Sequence, residues 1–181
     1  MKNEVEVREG LRACGVCHSG VVPVSRIIFS EAFRTACESN QCGQYGANWA
    51  CPPGVGESAE LIARARQFGN GLVVQTVWPL EDQFDFDGMM AGREKHTAVF
   101  REVVARVSPL LSDGEKLALC AGACSVCSSC TYPSGEPCRL PEQAMASLES
   151  YGVDVAALIS RAGHSYNNGP NTVSYVGLIL F

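Results

Sequence analysis

Ten cysteines in 181 residues set the chemistry to be explained. Four of them, Cys124, Cys127, Cys130 and Cys138, form C-x2-C-x2-C-x7-C in the stretch CSVCSSCTYPSGEPC. Steps of three residues let one loop reach several corners of a cubane iron–sulfur cluster, and a more distant thiolate supplies the last. Zinc is the competing reading, but it usually takes two ligands from one short knuckle and two from another. The spacing therefore favours a [4Fe–4S] cluster, with zinc as the lesser alternative. The long last step, and the absence of proline after Cys138, depart from the bacterial ferredoxin run. Gly122 and Gly135 permit close backbone approach, while Pro133 and Pro137 stiffen the loop. Arg139 either offsets cluster charge or is an ordinary surface arginine.

A second group, Cys37, Cys42 and Cys51, lies in CESNQCGQYGANWACPP with spacing C-x4-C-x8-C. Tyr45, Trp49, Pro52 and Pro53 either shield a second cluster or pin a rigid loop around buried thiols. Three thiols in so polar a loop favour metal. The fourth ligand is open. Cys120 is a candidate because a short strand carries it towards a sheet end, and Cys14 and Cys17 are others. An iron corner with no protein thiolate would instead bind a ligand or do chemistry, as an open zinc position does. CGVCH (Cys14–His18) matches a haem c attachment motif, but that attachment follows export, and an incidental segment is the expected reading.

Other function classes recede. The net charge is −5 and no dense Lys/Arg tract exists, so nucleic acid is not an expected partner. MKNEVEVREG carries acids where an export signal has an apolar run, and no apolar stretch is long enough for membrane insertion. A cytoplasmic location follows as the expectation, and in that reducing compartment many cysteines point to metal or redox work rather than disulfides. No Walker loop, dinucleotide fingerprint, nucleophile elbow or zinc-protease motif occurs. Asp85 and Asp87 in DFDG do not make a calcium loop. His96 is expected on the solvated side of a helix. The polar loop around His164, with Tyr166, Asn167, Asn168 and Thr172, either builds turns, which is favoured, or binds a ligand.

These residues need a scaffold. Val22–Phe29, Gly71–Leu80, Lys116–Gly122 and Thr172–Phe181 read as strands; Glu57–Gly69, His96–Leu111, Leu140–Gly152 and Asp154–Gly163 read as helices. Glu81–Met90 reads as a loop. The expected fold is α/β (or α+β), one domain over 1–181. It has a small mixed sheet, flanking helices and two cysteine-rich metal-binding loops at 37–53 and 120–139.

Three blocks together carry a resemblance: CESNQCGQYGANWACPPGVG, AGACSVCSSCTYPSGEPCRLPEQAMASLESYGVDV and SYNNGPNTVSYVGLILF. They resemble a bacterial and archaeal domain-of-unknown-function family whose members are described as predicted metal-binding proteins. The resemblance implies metal at Cys37, Cys42, Cys51, Cys124, Cys127, Cys130 and Cys138. Its third block spans Tyr166 to Tyr175, and Cys14 and Cys17 fall outside its pattern. The resulting expectation is a cytoplasmic iron–sulfur protein of anaerobic-type metabolism with one or two clusters. It would relay single electrons between a donor and a redox partner protein. The alternatives are an iron–sulfur enzyme acting on a small-molecule ligand, and a structural zinc or metallochaperone module.

Overall fold

The structure, a computed structural model, describes residues 4–181. In chain order the elements are α1 (Glu4–Ala13), β1 (His18–Pro23), α2 (Glu31–Glu38), α3 (Ser58–Ala65), β2 (Asn70–Pro79), α4 (Phe86–Leu111), β3 (Leu117–Cys120), β4 (Ala146–Ser147), α5 (Val155–Arg161) and β5 (Thr172–Leu180). The strands form one mixed sheet in the order β1-β2-β5-β3-β4; only β3 and β4 run parallel. The fold is α/β, and no described helix is long and apolar enough to cross a membrane.

Strand periodicity of two sorts the core into layers. On β2, Leu72 and Val74 face α4 and α1, where they meet Val7, Leu11, Phe100, Val103 and Val107. Val73 points the other way, with Leu178 and Leu180, towards Leu61 and Ala65 of α3 and Leu158 and Ile159 of α5. The register places Leu72 opposite Ile179 and Val74 opposite Gly177, so the α4 face continues across both strands. Gly177 is required there: a Cβ at that position would sit 2.4 Å from the Phe100 ring.

Four sequence expectations change. The strand over 22–29 stops at Pro23, because the chain turns into a 3-10 segment, Val24–Arg26, closed by Ile27 N–H on the Val24 carbonyl at 2.9 Å. Burial of both Val24 and Ile27 had given it strand-like apolarity. The helix over 140–152 is absent. Two 3-10 turns, Pro141–Gln143 and Glu149–Tyr151, flank the short β4 instead. Local side-chain bonds outcompete the helix: Ser147 Oγ accepts the Ser150 N–H at 3.0 Å, and Ser150 Oγ donates to the Ser147 carbonyl at 2.7 Å. The second half of 81–90 is not loop, because Asp85 caps α4 by accepting the Gly88 N–H at 2.8 Å.

His96 is the fourth correction. It is fully buried, on the face of α4 that also carries Gly92, Phe100 and Val103. Trp78 Nε1 donates to Thr76 Oγ1 at 3.0 Å, which leaves the Thr76 hydroxyl proton for His96 Nδ1 at 2.9 Å. Burial, opposed in part by the Val176 backbone, drops the His96 pKa from 6.5 to about 4. The folded state thus holds a neutral ring while the unfolded chain protonates it below 6.5. Stability is complete above that pH and is lost as pH falls to about 4, by about 3 kcal/mol. Urea unfolding from pH 7 to 4.5 checks this, and His96→Gln should show a flatter dependence.

Candidate metal centres

The second cysteine loop leaves the end of β3. Gly122, at φ +75°, turns the chain against the Arg93 side chain of α4. The loop then runs through Cys124, Cys127 and Cys130 into a 3-10 turn, Tyr132–Ser134, ended by Gly135 at φ +71°. That left-handed residue lets the chain double back to Cys138. Thr131 Oγ1 donates to the Pro137 carbonyl at 2.9 Å and closes the loop neck, and Arg139 Nη1 donates to the Ser129 carbonyl at 3.1 Å. Cys124, Cys127, Cys130 and Cys138 all line one cavity of about 160 Å³. Organic ligand pockets start at about 300 Å³. The space suits a compact inorganic group.

The first cysteine loop packs beside it. Cys37 sits in the last turn of α2, a helix the sequence reading did not foresee. Asn40 takes φ +51°, and its Oδ1 accepts the Tyr45 N–H at 3.0 Å, folding the segment back on itself. Asn48 is buried and accepts the Ala50 N–H at 3.0 Å, which sets up the approach to Cys51. The Pro52–Pro53 peptide bond is cis. Cys37, Cys42 and Cys51 line a second cavity of about 300 Å³ together with Arg93, Ser147 and Glu149. Gln44 lines both cavities.

Two contacts join the loops. Trp49 Nε1 donates to the Glu136 carbonyl at 3.0 Å, and its ring meets the Tyr132 ring edge-on at 4.8 Å. Gly54 fits under the same tyrosine, where a Cβ would lie 2.7 Å from the ring. Trp49→Ala should lose about 1–3 kcal/mol from these contacts. It should also speed bleaching in air of any group held at Cys124–Cys138, followed by visible absorbance.

Arg34, one helical turn before Cys37, is buried and reaches the Gly56 carbonyl at 2.6 Å and the Ser150 carbonyl at 3.4 Å. It ties α2, the segment after Cys51 and the Glu149 turn into one frame. Sequence reading missed Arg34, Arg93, Asn48 and Glu149. Arg34 and Asn48, each three residues before a candidate ligand, carried a local signal.

Burial dominates the electrostatics of the second cavity. Burial first, then the Asn48 hydrogen bond acting against it, leave the Cys51 thiol pushed up to about 11, with Cys42, Cys37 and Glu149 adding to the rise. Burial and the Glu149 charge also raise Cys37, and burial raises Glu149 itself. Among the described residues, no three His, Cys, Asp or Glu side chains are gathered tightly enough to hold a single metal ion. Thiols instead share cavities, and their soft sulfur suits iron–sulfur or zinc chemistry.

The other candidates are placed apart. Cys120 lines neither cavity; it packs in the α4-side core, where burial, moderated by Thr97, pushes its thiol up to about 11. Cys14 is buried at the end of α1 and Cys17 is exposed. His164 stacks on His18 at 4.9 Å. The Tyr166–Thr172 loop lines a separate hollow with Leu80, Gln83 and Met89. Its polar groups largely serve the loop: Asn168 Nδ2 donates to the Ser165 carbonyl at 3.1 Å, Gly169 N–H to Asn167 Oδ1 at 3.1 Å, and Thr172 Oγ1 to the Gly169 carbonyl at 2.8 Å.

The model of a family described as "predicted metal-binding protein (DUF2284)" matches residues 20–181. The chain belongs to that family. No curated protein and no solved structure matches the chain.

Proposed function

We propose that this member of a predicted metal-binding family is a cytoplasmic iron–sulfur protein. It holds a [4Fe–4S] cluster at Cys124, Cys127, Cys130 and Cys138 and passes single electrons to a redox partner protein. One observation carries the reading: four thiols at iron–sulfur spacing line a single small cavity. A multi-iron core needs one thiolate per corner rather than four converging on one ion, and a shared cavity meets that need. When bound, such a cluster takes one electron from a reduced low-potential donor and gives one to an oxidised acceptor.

The chain's own residues do the rest. Thr131 and Arg139 hold the loop closed through the Pro137 and Ser129 carbonyls. Trp49 lines the cavity, and the Tyr132 ring braces it edge-on. The test is a redox titration of anaerobically purified protein, followed by EPR. The reading expects a signal that appears with one electron and disappears reversibly on oxidation. Bound zinc with no redox-active signal contradicts it.

The second cavity favours a second reading, an enzyme acting on a small molecule. About 300 Å³ is room for more than thiols, and Arg93 offers a cation beside it. Under that reading a substrate bound there perturbs the EPR of one centre and leaves the other unchanged.

A further inference from the structure

We infer that Glu149 is the fourth protein ligand of a metal centre held by Cys37, Cys42 and Cys51. The inference rests on the metal-binding reading above and adds an oxygen donor where the sequence offered only Cys120. Glu149 lines the same cavity as the three cysteines. Its Oε2 is closed to solvent and accepts no hydrogen bond. Among the described residues, no ion pair joins Arg93 or any other cation to it. A buried carboxylate oxygen without a partner is costly, and a cation held by the three thiols beside it would supply one. Iron accepts carboxylate oxygen as well as thiolate sulfur, and a multi-iron core can span groups too far apart to meet on one ion.

The backbone holds Glu149 for the task. It opens a 3-10 turn between Leu148 and Ser150, both essentially buried, and the Ser147–Ser150 hydrogen bonds fix that turn. Arg34 binds the Ser150 carbonyl from α2, the helix that carries Cys37. The carboxylate and the first thiol thus sit on one braced unit. Cys120 packs in the α4-side core and does not line the cavity.

The test loads the full chain anaerobically with ferrous iron and sulfide, then counts iron and records EPR of the reduced protein. Wild type is compared with Cys37→Ser, Glu149→Ala, Glu149→Cys and Cys120→Ala. Glu149→Ala should lose iron from one centre only, the one Cys37→Ser removes, and change only that signal. Glu149→Cys should recover the iron with a shifted signal, and Cys120→Ala should match wild type. Glu149→Ala with wild-type iron and EPR overturns the inference. So does loss of both signals together, which marks a folding role, or a selective loss in Cys120→Ala. Iron at a single centre untouched by Cys37→Ser overturns this inference and leaves the electron-transfer reading standing. A chain that takes up neither iron nor sulfide overturns both.

Discussion

Cys127→Ser is expected to remove the four-cysteine centre, lowering bound iron by about four atoms per chain. A serine hydroxyl is a hard, weakly acidic donor and a poor substitute for thiolate on iron. Cys127 is the middle of three closely spaced thiols, so its loss leaves the neighbours on either side unable to share the remaining corners. The effect should extend to stability. The loop from Cys124 to Cys138 has no regular strand or α-helix, and it is held by a few hydrogen bonds and the Trp49 contact. Metal binding is then a substantial part of its folding free energy. The variant should show a lower unfolding midpoint than loaded wild type, and with chelator present the two should unfold together. Iron assay and thermal unfolding, run with and without chelator, check both halves.

Phe100→Ala is the largest expected change away from the metal loops. Phe100 is fully buried, lies over Gly177 of β5 and stacks on His96 at 5.9 Å. Truncating a buried phenylalanine costs about 3–5 kcal/mol, a large share of a typical domain's total. The sheet has no side chain at Gly177 with which to fill the gap. The reciprocal change, Gly177→Val, forces methyl groups into the ring and should be at least as damaging, because backbone and ring would both have to move. Urea unfolding of the two variants measures this. Both should also weaken metal retention, since α4 carries Arg93 and Thr97 to the root of the second cysteine loop.

Much of this was legible from residue order because spacing and periodicity are local. The two thiol groups, the strands β2 and β5, and the Asp154 cap of α5, which accepts the Ala157 N–H at 2.9 Å, all follow from near neighbours. What escaped was set by distant packing. His96 looked polar and solvated because its helix begins at Phe86, and the buried face runs through Gly92, whose missing side chain makes room for Trp78. Leu140–Gly152 had helical composition, but Ser147 and Ser150 satisfy the backbone locally. Helix α1 places Val7 and Leu11 at helical spacing, but the acids around them speak only against an export signal and give no sign of the core they reach. Glu149 had no local signal. It stands in the chain far from Cys37, Cys42 and Cys51, and only the fold, through Arg34 and the Ser150 carbonyl, sets it beside them.

The central claim is that Cys124, Cys127, Cys130 and Cys138 hold a cubane cluster. Acid-labile sulfide, measured per chain on protein purified without oxygen, tests it most directly. The account predicts sulfide in equal amount to iron, at about four of each per chain for this centre, with that share lost in Cys127→Ser. Stoichiometric zinc with no labile sulfide would contradict it.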